Sequence, residues 1–444
     1  MNNMAIRWNI IKDECVKIGG ELSPLSIFMS PSWDRKIILP YFVPHDYRHF
    51  RNVEGIASGL APLFNVGRNS FERALIGCST WLHDIGMAAW ALSIDDLSIH
   101  VDELLKDLKG SRIGDFKREL LESSMFFKGC LNEDNCRGSA CNVADLGTVY
   151  ISKACMNRSI DYRLRLLRFV RAYHPWISES YVEHKLPKDV TLIRELGGGA
   201  ARFSSLVGEI CKLHDNKVEL RNRVSTFEGY EVDTAKYGAL LRIADALDFN
   251  RSRVENIFDV IRNDMVNDGF FYVLKHWVFK YAVKGVDANS GGVTVEISDE
   301  AEESMVLGFL LFEVGDNLAE DYETVNLYRR LPNIVIINGG KDLTLNKYIS
   351  ELRFAYRKLG ELKDADRLGR YGKELNRIGV EEEQVNAIIS SFNDAKLKGL
   401  MNPPLDALAL ALTLGKNASG LADLIAQDLP SDVRSHVGEL FIPR

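Results

Sequence analysis

The sequence predicts a mainly α protein, with a large helical bundle followed by a small α+β unit and a helical C-terminal region. Between about residues 44 and 255, apolar residues recur at three- and four-residue intervals, separated by Gly, Pro and Asn breaks. The segments HFRNVEGIASGLAPLF, FERALIGCSTWLHDIG, DYRLRLLRFVRAYH, ARFSSLVGEICKLH and YGALLRIADALDF carry this pattern. From residue 271 it changes: FFYVLKHWVFKYAVKGV, the turn-rich DANSGG and then VTVEIS alternate in a way that suits a β-hairpin. After Lys341 the chain turns polar and helix-favouring, with NPPL and LPSDV as breaks.

Taken in order, residues 1–43 form an N-terminal helical extension and 44–255 the main helical domain. Residues 256–340 form the α+β unit: the hairpin, a helix near 300–322 and the apolar run IVII at 334–337, closed by the glycines of INGGK. Residues 341–444 form the C-terminal helical region. The 444-residue length exceeds what one hydrophobic core usually supports, which agrees with several domains. No internal repeat or low-complexity tract interrupts the chain.

Composition narrows the function. Hydrophobic residues make up 46% and charged residues 26%, as in ordinary globular proteins. The formal net charge of −7 offers no global attraction to nucleic acid, which makes such a partner possible but not favoured. No stretch approaches the roughly 20 apolar residues of a spanning helix, so no membrane partner and a cytoplasmic location are expected.

Of the seven cysteines, Cys15, Cys78 and Cys211 fall in apolar helical sequence, as small buried residues do, and free thiols in a reducing compartment are the expectation. Cys130, Cys136, Cys141 and Cys155 cluster in polar sequence. Their gaps of six, five and fourteen positions do not match the tight pairs of zinc sites, which favours free surface thiols.

The residues suited to chemistry are histidines and aspartates. His-Asp occurs three times, at His45-Asp46, His83-Asp84 and His214-Asp215, so the dipeptide alone says little. Helical position separates them. His49 lines up with Val53, Ile56, Leu60 and Leu63 on the buried stripe, His214 with Phe203, Val207 and Ile210, and His174 with Ile160, Leu164 and Leu167. His83 and Asp84 follow an apolar helix and stop at Ile85-Gly86, where glycine suits a C-terminal cap. Asp245 sits one turn beyond Leu241. His45-Asp46 follows a proline and suits a helix N-terminus instead.

Five helices thus each point one or two metal-type ligands inward. An unpaired buried polar group costs roughly 1–3 kcal/mol, and a shared divalent cation would satisfy all of these together. The nitrogen and oxygen mixture suits one or two ions such as Mn2+, Fe2+, Mg2+ or Zn2+. Such an ion lowers the pKa of water and polarises a phosphoryl oxygen. The competing reading is a set of satisfied core polar groups.

The order His49, His83-Asp84 and Asp245 resembles the H…HD…D signature of the HD-domain metal-dependent phosphohydrolases. LHDIG, RFVRAYHPWIS and LLRIADALDFNRSR resemble the surroundings of that signature, and the likeness covers residues 44–255. It implies an HD-type helical bundle with His49, His83, Asp84 and Asp245 on the first metal. Members with two metals add histidines in the interval where His174 and His214 fall. Asp84 would then bridge, with Asp84 and His174 as catalytic residues. The glycine-tyrosine-proline signature of the cyclic-dinucleotide subclass is absent, and the wording is closer to HD domains of prokaryotic conflict and stress systems.

The resemblance implies cleavage of a phosphoester or phosphoanhydride in a nucleotide, cyclic or linear, or in another phosphorylated small molecule. Arg51, Arg171 and Arg253 are candidates to hold its phosphate, since arginine binds phosphate bidentately, although arginine beside aspartate is more often a plain ion pair. Two alternatives stand beside this one: an HD-type nuclease acting on DNA or RNA in a defence system, and a non-catalytic nucleotide-sensing module. Residues after 256 carry no catalytic motif and suit homo-oligomerisation or contact with a partner protein. Gly197-Gly198-Gly199 lacks the lysine and preceding strand of a phosphate loop and fits a helix connection.

Overall fold

The computed structural model describes residues 2–22, 45, 47–87, 174–184, 186–255, 258–267, 269–362, 364–393, 400–431, 433 and 434. These residues are mainly helical and divide into two compact units, one ending at Arg242 and the other beginning at Ile243. No described helix is long and apolar enough to cross a membrane. The Cys130, Cys136, Cys141 and Cys155 cluster, Arg171 and the stripe from Ile160 to Leu167 lie outside the described residues.

In the first unit, α1 spans Asn2–Leu22, α2 Tyr47–Leu60 and α3 Ser70–Leu82. Residues 174–184 form α4, and α5 spans Gly198–Lys212. The start of α3 is set by Asn69, whose side chain accepts from the Glu72 amide at 2.9 Å. The glycine run falls at the start of α5, where Gly197 at φ 57° precedes the helix, so the connection expected there is the one observed. The core is aromatic: Trp8 of α1 packs on Phe71 and Phe203, and Phe71 stacks on Phe227 and Tyr230.

Helix α1 is pressed against α3. A Cβ on Gly19 would lie 2.4 Å from the Trp81 carbonyl oxygen, and one on Gly77 would lie 2.6 Å from the Lys12 side chain. This close approach brings the Cα atoms of Cys15 and Cys78 to 5.1 Å, and the two sulfurs form a disulfide. Burial of Cys15, Cys78 and Cys211 is as expected, but only Cys211 of these three is a free thiol, a correction that removes the thiol argument for a reducing compartment.

A second correction concerns residues 222–233, read as part of a run of helices. Val224–Phe227 (β1) and Tyr230–Asp233 (β2) pair antiparallel. Glu228 and Gly229 both take positive φ, the conformation a two-residue hairpin loop requires. Helix α6, Thr234–Ala246, follows directly and runs past the division between the units.

In the second unit, α7 spans Phe258–Asn267 and α8 Phe271–Val278. The apolar run from 271 is therefore helical through Ala282, and the expected hairpin begins only at Val283, with β3, Val283–Asn289, as its first strand and VTVEI as its second. Seven of the eight α8 residues are buried, so the helix is apolar nearly all round and shows no stripe that would distinguish it from a buried strand.

Strand β3 pairs antiparallel with β4, Gly292–Ile297, which pairs parallel with β5, Ile334–Asn338, which pairs antiparallel with β6, Lys341–Thr344. Val293 and Val295 sit opposite Ile334 and Ile336, a buried apolar ladder on one face. The parallel pair needs a crossover, supplied by a helical segment of α9 (Glu303–Phe309), a π-helical stretch (Leu310–Leu318) and α10 (Ala319–Tyr328). The remaining helices are α11 (Ile349–Gly360), α12 (Ala365–Arg377), α13 (Glu382–Phe392), α14 (Pro403–Thr413) and α15 (Ser419–Asp428). Lys275 of α8 reaches Asp406 of α14 at 2.9 Å, both fully buried.

Candidate metal centre

Each histidine of the centre is placed by where its helix lies or stops. His49 is buried on the inner face of α2 with Phe50, Val53 and Ile56, as its spacing predicts. His83 is the residue that ends α3, and His214 follows the end of α5. Helix ends leave carbonyl groups without amide partners. Both rings use a carbonyl at the helix end in the same way: His83 Nδ1 lies 2.9 Å from the Thr80 carbonyl, and His214 Nδ1 contacts the Cys211 carbonyl, which also accepts from the His214 amide at 3.4 Å, each three residues back. A carbonyl only accepts, so Nδ1 donates in both cases, and Nε2 carries a lone pair aimed inward when the imidazole is neutral.

These Nε2 atoms converge on Asp84. Its Oδ2 lies 3.2 Å from His49 Nε2 and 3.2 Å from His83 Nε2. Its Oδ1 lies 3.2 Å from His174 Nε2 and 3.5 Å from His214 Nε2. Within the pairs, His49 and His83 approach to 3.3 Å and His174 and His214 to 3.1 Å. His49, His83, Asp84 and Asp245 offer ligand atoms all within 4.8 Å of one another, and Asp84, His174 and His214 do likewise. Asp245 comes from α6.

The donor set fits a cation. With the rings neutral, inward lone pairs on His83 and His214 would face carboxylate oxygens, an arrangement that repels unless a proton or a metal cation lies between them. Protonating every ring instead would set four imidazolium charges around one carboxylate. Burial acts to raise the Asp84 carboxyl, but with the rings protonated the charges of His83 and His45 and hydrogen bonds from His174 and His214 outweigh it and hold the group well below the ordinary carboxylate range. Asp84 is thus an anion at neutral pH, as a ligand must be. Cys211, behind the site, is no competitor, because burial, then Glu179 and Asp84, push its thiol well above its usual range.

Gly86 has a different role from the one expected. It does not take the positive φ of a helix cap. Instead a Cβ there would stand 2.1 Å from the His174 carbonyl oxygen, and the Gly86 amide donates to Ser178 Oγ at 2.9 Å. Residues 85–87 form a tight turn on which α4 rests.

His45, expected only at a helix start, faces the centre with Nε2 3.6 Å from Asp84 Oδ2, and its ring meets that of His49 at 5.2 Å. Its side chain keeps 22% exposure where that of His49 has none, which puts it on the open side. Asp46 lies outside the described residues. His45 precedes α2, so no helical spacing pointed to it.

Of the candidate arginines, Arg171 lies outside the described residues. Arg51 is exposed on α2, two positions from His49 and so about 200° around the helix. Arg253 is buried in the second unit, with Nη1 3.4 Å from Asp248 Oδ2, the ion-pair arrangement.

A family model described as HD-CE matches residues 39–320, well over half of the chain. No curated protein and no solved structure matches it.

Proposed function

The chain belongs to the HD-CE family, and from that premise we propose that it is a metal-dependent phosphohydrolase with a two-ion centre. One observation carries the reading: the two oxygens of a single buried carboxylate, Asp84, face two separate histidine pairs. His49, His83, Asp84 and Asp245 would hold the first divalent ion, and Asp84, His174 and His214 the second. When bound, such ions lower the pKa of a water molecule and polarise a phosphoryl oxygen. The chain's own residues fix the geometry. The carbonyls of Thr80 and Cys211 orient two imidazoles, and Asp84 stays ionised between the pairs. No protein nucleophile is required.

The substrate class is a phosphoester or phosphoanhydride of a nucleotide, cyclic or linear. His45, partly exposed beside Asp84, would contact a phosphoryl oxygen of the substrate. Residues after 256 are proposed for oligomerisation or partner contact.

The test is metal analysis of the purified protein, followed by a screen of nucleotides, cyclic dinucleotides and short nucleic acids with Mn2+. Turnover that disappears in Asp84→Ala is expected. A metal-loaded protein inert toward all three classes would sink the hydrolase reading, and turnover of nucleic acid alone would move it to a nuclease.

A further inference from the structure

Arg242 has no exposed surface, and its side chain is aimed at the segment that carries His214. Its Nε and Nη2 donate to the Leu213 carbonyl at 3.1 and 2.7 Å, and Nη2 also reaches the carbonyls of Asp215 at 2.5 Å and Val218 at 2.7 Å. These carbonyls bracket His214 on both sides. Burying a guanidinium is costly, and placing it on main-chain carbonyls uses the fork geometry that distinguishes arginine from lysine.

The same helix grips the same turn one turn earlier. A Cβ on Gly238 would lie 2.4 Å from Leu213 Cβ, so α6 approaches Leu213 as closely as only glycine permits. Gly238 and Arg242 are four residues apart and share a helix face. Asp245 follows Arg242 by three residues, so one rigid helix carries a ligand of the first ion group and, through Arg242, holds the turn that presents a ligand of the second.

We infer that Arg242 is a positioning residue for the second ion site: it sets His214 Nε2 opposite His174 and Asp84 without touching the ion. The first site depends on it less directly, since His49 and His83 are oriented by α2 and α3 and Asp245 lies three residues beyond Arg242 on α6. This inference rests on the two-ion reading above.

The experiment is Mn2+ titration of the full chain, followed by calorimetry and by electron paramagnetic resonance, in which two adjacent ions give a spin-coupled signal. Arg242→Lys keeps the charge but cannot fork across three carbonyls. It should bind the first Mn2+ within about threefold of wild type and the second about 10–100-fold more weakly, the usual effect of losing an outer-shell partner, with the coupled signal gone at two equivalents. Gly238→Ala crowds the same turn from the same helix face and should likewise weaken the second ion more than the first, with first-site binding certifying the fold of each variant. If wild type takes up two ions and both variants retain the second within threefold, or lose both equally, the inference fails alone. If wild type binds a single Mn2+, the two-ion reading fails and the inference with it.

Discussion

Gly86 and His174 meet main chain to main chain, at a distance where a Cβ on Gly86 would stand 2.1 Å from the His174 carbonyl oxygen. Helix α4 therefore docks immediately beyond Asp84, and the docking presents the His174 ring to Oδ1. Gly86→Ala should push α4 away and weaken the second ion by about 10–100-fold while sparing the first. Calorimetric titration with Mn2+ checks this, and an unchanged second site would show that α4 adjusts freely.

Asp84 is the one residue common to both ligand groups. Asp84→Ala should weaken both ions by at least about 100-fold, beyond the loss of an outer-shell partner, whereas His214→Ala should weaken only one. Metal content after dialysis, measured for the two variants side by side, separates the outcomes. Equal retention in both would argue against a bridging carboxylate.

The disulfide between Cys15 and Cys78 closes a loop with a sequence separation of 63 residues. Loop-closure entropy assigns such a crosslink about 4 kcal/mol of stability. Denaturant unfolding of the first unit with and without reductant should show a loss of that order, and Cys15→Ala should make the protein insensitive to reductant. Identical curves for wild type in both conditions would mean that the bond does not form in solution.

Lys275 and Asp406 are a fully buried ion pair, with the Asp406 side chain also accepting from the Asn402 amide at 2.6 Å. Burial raises the Asp406 carboxyl, and Lys275 is the largest influence holding it down. Lys275→Met should cost about 3–5 kcal/mol at pH 8 by stranding the carboxylate, and adding Asp406→Asn should recover part of that. The pH dependence has a definite sign. Without Lys275 the folded-state pKa rises further above its unfolded value of about 4, so the penalty grows as pH climbs from there through the folded pKa. Denaturation of Lys275→Met at pH 5 and pH 8 should therefore show the smaller deficit at pH 5. A deficit independent of pH would contradict the linkage.

Much of the centre was legible in the sequence because burial has a period. His49 falls on the α2 stripe and His214 just past the end of the α5 stripe, both buried, and a buried ligand must find a partner. His45 escaped that reasoning because it precedes the helix and stays half-buried, outside any stripe. The strand expected to begin at 271 starts only at Val283 for the converse reason, since a helix buried on nearly every side has no period to detect.

By itself, the sequence determined the helical class, the inward histidines and aspartates and the likeness to HD domains, all of which follow from residue type and local spacing. Only the tertiary structure decided that Asp84 divides its two oxygens between two histidine pairs, that Gly86 is a docking surface and that Arg242 braces the His214 turn. Apart from the adjacent His83 and Asp84, those relations join positions 24 to 130 residues apart, and no local period records which main-chain carbonyl a distant side chain will reach.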